Sequence, residues 1–134
     1  MSQIQDYFDQ IKLKLVESEI IESFQVRKER VTTTDGYVRI RGNLTNGDMI
    51  EFSEYCRFHK EVVTQEYTFH WQDPKGKLIR RWDNANHHPE VENFPHHVHI
   101  NEESNISPSK GYLQQTLMLF ETLEQLYGSE AVRT

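Results

Sequence analysis

The chain has 134 residues, the usual size of one domain, and a single domain over residues 1–134 is expected. Its formal net charge of −6 and sequence pI of about 5.6 argue against general, charge-driven binding to nucleic acid. The sequence has no apolar run of about 18 residues that would predict a membrane span, no signal-peptide pattern and only one cysteine, which excludes a multi-cysteine metal site. We therefore expect a cytoplasmic protein without a membrane association.

Basic residues form two local clusters despite the acidic balance. One cluster spans seven residues and the other spans fifteen. Their members are Lys75, Lys77, Arg80 and Arg81 in the first, and Arg27, Lys28, Arg30, Arg39 and Arg41 in the second. The clusters predict either one locally basic face or charges scattered over a solvated surface.

The N-terminal region has the periodicity of a helix. Apolar residues recur there at intervals of three and four, which places them on one side of a helix over residues 3–14. These residues are Ile4, Phe8, Ile11 and Leu15, with Tyr7 beside them. Ser2 is suited to the N-cap position.

From about residue 18 to residue 82, alternating apolar and polar residues predict strands. The proposed inward-facing sets are Val38 and Ile40; Ile50, Phe52, Cys56 and Phe58, interrupted by Glu54; and Val63, Tyr67, Phe69 and Trp71. Turns are predicted at Asp35-Gly36, Asn46-Gly47 and Asp73-Pro74-Lys75-Gly76. The pattern indicates a meander of about five antiparallel strands, in which Cys56 is a small buried side chain.

A second helix is predicted near the C-terminus. Ser107 and Pro108 have the character of an N-cap and a first helical residue, and Gly128 suits the position after the last turn. The apolar face would consist of Leu113, Leu117, Leu119, Phe120, Leu123 and Leu126. The predicted fold class is α+β, with an N-terminal and a C-terminal helix packed on the antiparallel meander.

Residues 87–99, HHPEVENFPHHVH, contain five of the seven histidines. His88 and Phe94 each precede a proline, which favours extended backbone and disfavours a helix over 88–95. Residues 96–100 have the pattern of a short strand. In that strand His97 and His99 would point together into a polar site, while His96 would contact the core.

This segment admits three interpretations. In the first, His97 and His99 bind a metal together with His87 or His88, and Glu90 adds a carboxylate. In the second, which needs no metal, histidines act as acid and base in RNA cleavage. Arg80 and Arg81 would then hold phosphate and Trp82 would stack on a base. In the third, the histidines are structural.

The segment also carries a resemblance to a known family. The string RRWDNANHHPEVENFPHHVHI, preceded by the aromatic strand EYTFHW, is similar to the signature of the TumE-type family. That family comprises small bacterial proteins regarded as the toxins of type II toxin–antitoxin pairs. The one departure is Asn86, where the family pattern has proline, and this change removes no titratable group.

The resemblance implies an antitoxin partner that carries a DNA-binding domain, and by analogy with other small toxins it suggests an RNA-cleaving activity. It maps the family's polar residues onto Asp83, Asn84, His87, His88, His96, His97 and His99. The expected catalytic set is His97, His99, His87, His88 and Asp83. Asp83 would orient an imidazole and Asn84 would stabilise the turn after Trp82, although both could be plain turn residues.

Two functions of different classes follow from these observations. One is a toxin that cleaves RNA through the histidines without a cofactor; the candidates for metal binding are His87, His97 and His99, and adventitious zinc or nickel capture is also expected. The other is a non-enzymatic binding protein in which the histidine-rich segment is an interface or a structural loop.

Overall fold

The computed structural model describes residues 2–129 and residue 132. Two helices lie at the ends of the chain, α1 (Gln3–Glu17) and α2 (Gln115–Leu126). Between them lie the strands β1 (Ile21–Val31), β2 (Asp35–Leu44), β3 (Met49–His59), β4 (Glu61–Gln72), β5 (Leu78–Asp83), β6 (His97–Ile100) and β7 (Ile106–Pro108). The predicted α+β class and antiparallel meander are confirmed, with seven strands in place of about five.

The sheet has the simplest order, because each strand pairs with its neighbours in the chain from β1 to β7. All six pairings are antiparallel. One face carries the alternating apolar residues of the central strands and packs against both helices. The core includes Ile40, Ile50, Phe52, Phe69, Trp71 and Leu123, each almost fully buried. The opposite face, which we call the open face, carries no helix among the described residues.

Helix α1 forms as its sequence predicts. The Ser2 hydroxyl accepts hydrogen bonds from the backbone N–H groups of Ile4 and Gln5, which is the N-cap geometry. The four apolar residues and Tyr7 are all buried against the sheet. The amphipathic stripe therefore fixes which side of this helix meets the core.

One turn differs from its sequence prediction, and one turn lies where the sequence predicts none. The β1–β2 connection is formed by Thr32–Thr34, while Asp35 and Gly36 already belong to β2. Gly36 is needed for space, because a Cβ there would lie 2.5 Å from the Ile4 Cγ2 atom of α1. The β3–β4 hairpin turns at Lys60, which adopts a positive φ of 68° without any glycine. The turns at Gly47 and Gly76 have the expected positive φ.

A register shift between Tyr55 and Cys56 changes the phase of β4. Beyond that shift Val62 is buried, whereas the prediction placed Val63 on the same face as Tyr67. An extra residue within one strand of a pair shifts the alternation, so that residues on the two sides of the bulge point to opposite faces from those expected. The alternation from Tyr67 to Trp71 is confirmed.

The predicted start of the second helix is wrong. Ser107 and Pro108 form part of β7, which pairs with β6, and α2 begins only at Gln115. A proline is tolerated there because β7 is an edge strand. Leu113, expected on the apolar face, lies before the helix and is 55% exposed.

Within residues 2–129 and 132, no helix has the length and apolar character needed to cross a membrane.

Candidate functional site

The pairing of β5 with β6 brings together residues from two parts of the histidine-rich region. Asp83 lies opposite His97, and Arg81 lies opposite His99. Directly opposed residues of an antiparallel pair share a face, so these four side chains all lie on the open face. The predicted short strand is confirmed from His97 onward, and its alternation places His97 and His99 on one side as expected.

Both imidazoles are held by backbone carbonyl groups. The Nδ1 atom of His97 lies 3.0 Å from the Pro95 carbonyl oxygen, and that of His99 lies 2.8 Å from the Glu103 carbonyl oxygen. A carbonyl oxygen can only accept, so each Nδ1 carries the proton. In the neutral rings the Nε2 atoms therefore hold free lone pairs.

Both Nε2 atoms face the carboxylate of Asp83. His97 Nε2 lies 2.9 Å from Oδ1, and His99 Nε2 lies 3.8 Å from Oδ2. The first contact is short, yet its direction is unsuited to a hydrogen bond, and His97 Nε2 is a buried nitrogen without a hydrogen-bond partner. The carbonyls of Pro95 and Glu103, not Asp83, thus orient the two rings through their N–H groups.

Asp83 has a local partner as well. Its Oδ1 accepts a hydrogen bond of 3.0 Å from the backbone N–H of Ala85, which fixes the carboxylate at the end of β5. Asp83 is 8% exposed, while His97 and His99 are 1% and 6% exposed. The turn role and the contact with histidine are therefore compatible, because one side chain performs both.

The positive charge beside this cluster is shared with a carboxylate outside it. The nearest cation is Arg81, whose Nε lies 3.7 Å from Asp83 Oδ2. Its guanidinium group, however, forms a bidentate ion pair with Glu103, which raises the pKa of Arg81. Two lone pairs and a carboxylate that converge in a buried place need a cation between them, either a proton or a metal ion.

His88 and His87 lie beside the cluster. The ring of His88 is 5.4 Å from that of His97 and 6.1 Å from that of His99, and the ring of His87 is 6.5 Å from that of His97. His88 is half-buried and its Nδ1 lies 3.2 Å from a carboxylate oxygen of Glu90. Its φ of 61° departs from the extended backbone expected before proline. His88 and His87 are thus the more accessible imidazoles of the site, and Glu90 contacts only His88 among them.

Two predicted substrate-binding residues lie elsewhere. Trp82 is 5% exposed and packs edge-to-face on Phe69 in the core, so its ring cannot stack on a base in this structure. Arg80 is on the same face as Trp71 and bonds the carbonyl oxygens of Ile79 and Val132. The period of two along β5 separates Arg80 from Arg81, which alone of the three faces the site.

Asn84 and His96 support the site from one side. The Asn84 side chain bonds the backbone of Gln65 and Tyr67 across the β4 irregularity, at 2.8 and 3.0 Å. His96 stacks on the buried Tyr67 ring and its Nδ1 lies 2.9 Å from the tyrosine hydroxyl. Burial and then His97 lower the pKa of His96. The expected contact of His96 with the core is thus present.

A groove on the open face approaches the cluster. It has a volume of about 950 Å³ and lies between the basic end of β1 and the loop that follows β5. Its lining includes Lys28, Arg30, Tyr37, Tyr55, Thr68 and Asn84. Thr68 is paired with Asp83, so the groove ends beside the site. The sequence predicts the basic clusters but neither this groove nor its tyrosines, because the pairing of Tyr37 with Tyr55 depends on the register of β2 against β3.

Comparison with known proteins identifies a family. A family described as toxin TumE matches residues 11–126. The matched range includes β1 to β7 and α2, and with them Asp83, His97 and His99. Neither the curated proteins nor the solved structures contain a significant match to the chain.

Proposed function

The chain belongs to the toxin TumE family, and from this membership we propose that it is a toxin that cleaves RNA at the cluster of Asp83, His97 and His99. Its partner would be a neutralising antitoxin that carries a DNA-binding domain. Because its substrate would be cellular RNA, the protein would act in the cytoplasm. The proposal is supported chiefly by two buried imidazoles, fixed at Nδ1, that direct Nε2 at one carboxylate beside an open groove.

RNA is a suitable substrate because it carries its own nucleophile. In strand cleavage the 2′-oxygen forms a bond to phosphorus while the bond from phosphorus to the 5′-oxygen breaks. One proton leaves the 2′-hydroxyl, one proton reaches the 5′-oxygen, and the phosphorane between them needs positive charge. The Asp83, His97 and His99 cluster holds the base, and His88 at its mouth is placed to supply the proton to the leaving oxygen.

The groove accounts for how an acidic protein holds a polyanion. Lys28 and Arg30 supply positive charge, and Tyr37 and Tyr55 supply aromatic rings beside them. Aromatic rings and cations in one channel are typical of single-strand recognition without hydrogen-bond readout of bases. A single strand lying in this groove reaches the cluster where Thr68 pairs with Asp83.

The first test compares growth arrest in a bacterial host and cleavage of a single-stranded RNA by purified protein. Asp83→Asn and His99→Gln keep side chains of similar size but remove the carboxylate and the imidazole. We therefore expect both variants to abolish growth arrest and to lower RNA cleavage at least about 100-fold. His59→Ala is the matched control, because His59 is exposed at the far end of β3. It should remain fully active.

Melting temperatures decide between the two functional classes. If the wild type cuts no RNA and the two site variants only lower the melting temperature, the cluster is architectural and the chain is a binding protein. Full toxicity in both variants, at matched soluble levels, would also refute the proposed site.

A further inference from the structure

Three donor atoms of the site converge without a hydrogen bond among them. One nitrogen each from His97 and His99 and one carboxylate oxygen of Asp83 all lie within 4.8 Å of one another, and all three residues are buried. His97 Nε2, on a side chain that is 1% exposed, has no hydrogen-bond partner. A buried nitrogen left unpaired costs free energy unless something is bound there.

The distances suit a metal ion. Donors held tetrahedrally around zinc at about 2.1 Å are separated by about 3.4 Å. The observed separations from His97 and His99 to the two oxygens of Asp83, 2.9 and 3.8 Å, bracket that value. Because one atom from each of the three residues lies within 4.8 Å of the other two, small side-chain rotations would place all three around one ion.

The surroundings of the imidazoles are those of metal ligands. A metal-binding histidine commonly donates its other N–H to a carbonyl or a carboxylate, which fixes the ring and makes Nε2 a better donor. His97 and His99 do this with Pro95 and Glu103. The Ala85 N–H fixes the Asp83 carboxylate in the same way. All three ligands are therefore oriented before an ion arrives.

We propose that Asp83, His97 and His99 bind one divalent first-row transition-metal ion, of the zinc type, with the fourth position left to water. Two imidazoles and one carboxylate favour such an ion over magnesium or calcium, which prefer oxygen ligands. Three protein ligands and an open position are the pattern of catalytic rather than structural zinc. The use of the ion in RNA cleavage rests on the proposed function, whereas its binding does not.

A bound ion would explain how a buried cluster can act on RNA. The buried Nε2 atom of His97 cannot touch RNA directly. An ion held by the three ligands could contact a phosphate oxygen through its open position and supply the positive charge that the phosphorane needs. With an ion bound, His97, His99 and Asp83 would act as ligands, and a water at the open position would take the place of the base that accepts the proton of the 2′-hydroxyl.

Zinc binding can be measured on protein without a histidine tag, stripped with chelator, and titrated with zinc chloride in a calorimeter. We expect one equivalent for the wild type. The variants Asp83→Asn and His99→Gln should lose at least about 100-fold in affinity, more than the usual effect of residues that merely support ligands. The controls His59→Ala and His87→Ala should keep the wild-type affinity.

A second measurement needs no variant. Imidazole ¹⁵N spectra of the wild type should show two rings that keep the proton on Nδ1 while their Nε2 signals shift when one equivalent of zinc is added. Two results would overturn the inference: no stoichiometric zinc binding, or binding that survives in Asp83→Asn and His99→Gln but is lost in His87→Ala. The latter result would mean capture by the surface histidines only.

The same samples separate this inference from the proposed function. Zinc binding at the cluster without RNA cleavage would retain the metal site and refute the nuclease. RNA cleavage by stripped wild type in excess chelator, at the rate of the zinc-loaded protein, would retain the nuclease and refute the use of metal.

Discussion

Glu54 is a carboxyl group in the middle of the core. Its side chain is fully buried between the sheet and both helices. One oxygen accepts hydrogen bonds from the Tyr7 hydroxyl and the Thr116 N–H, and the other accepts from the Thr64 hydroxyl. Burial outweighs these bonds and raises the pKa of Glu54, and burial beside Glu54 raises the pKa of Tyr7 as well.

The raised pKa of Glu54 has a definite sign for stability. A carboxyl whose pKa is higher in the folded state favours folding most at low pH, and its contribution is lost as pH rises from the ordinary glutamate pKa through the raised value. We expect Glu54→Gln, which resembles the protonated acid, to stabilise the protein at pH 7 and to flatten this part of the pH profile. Urea unfolding from pH 4 to pH 8 measures both effects.

Glu54→Leu is the informative comparison. It removes the charge but leaves the Tyr7 hydroxyl, the Thr64 hydroxyl and the Thr116 N–H without an acceptor, at about 1–3 kcal/mol for each group. This variant should be much less stable than Glu54→Gln. If the two variants are equally stable, the hydrogen bonds to Glu54 contribute nothing and the account of this residue is wrong.

Cys56 is a neighbour in the same core. It is fully buried, and burial raises the pKa of its thiol to about 12. The thiolate, which is the reactive form, is therefore scarce at neutral pH. Cys56 agrees with its prediction as a small packed side chain.

At the scale of elements, the contact between α1 and β2 depends on Gly36. A Cβ at this position would overlap Ile4 and press on the Phe8 ring, 3.1 Å away. Both residues are fully buried, so the helix has to move. We expect Gly36→Ala to lower the free energy of unfolding by about 1–3 kcal/mol, as measured with denaturant.

Gly128→Ala is the control for that measurement, because nothing lies within 4 Å of a Cβ at Gly128. Its stability should change by no more than about 0.5 kcal/mol. A wild-type stability for Gly36→Ala would show that α1 is not packed as tightly as described.

Local patterns predict the elements in which buried residues recur at one regular period. The stripe of α1, with Ser2 at its cap, and the alternation in β2 and β3 are examples. The prediction of a helix start failed where tertiary pairing overrode local preference, because β6 pairs with Ser107 and Pro108 as an edge strand. The hairpin turn at Lys60 has no glycine, and the sequence does not predict it. No local sequence rule specifies which strand a given segment will pair with.

The candidate site was predictable to the same extent. The alternation of His97 and His99 follows from strand periodicity alone. Their proximity to Asp83 does not, because it depends on the register of β5 against β6 across residues 84–96. The sequence also predicts Arg80 and Trp82 as substrate-binding residues, but both lie on the core face of β5, away from the site.

At the scale of the whole molecule, a net charge of −6 coexists with a groove that contains Lys28 and Arg30. The prediction from composition concerned average charge, whereas binding depends on where the cations lie. We expect Lys28→Ala/Arg30→Ala to weaken binding to a single-stranded RNA and to reduce the salt dependence of log K by about 0.7 for each lost phosphate contact. Fluorescence anisotropy over a salt series measures this slope.

Lys75→Ala/Lys77→Ala removes the same charge from the exposed β4–β5 turn, outside the groove. Its salt dependence should match the wild type. Equal losses in the two double variants would indicate that RNA responds to net charge alone, and the groove would have no special role in binding.

The order of the strands along the sheet has a consequence for how the protein is made. Each strand pairs only with its neighbours in the chain, so successive hairpins can form as the ribosome delivers them. The cluster needs both Asp83 and His99, and therefore it is absent from every nascent chain shorter than β6. During synthesis the site is therefore completed only after the segment from Asp83 to His99 has left the ribosome and β6 has paired with β5.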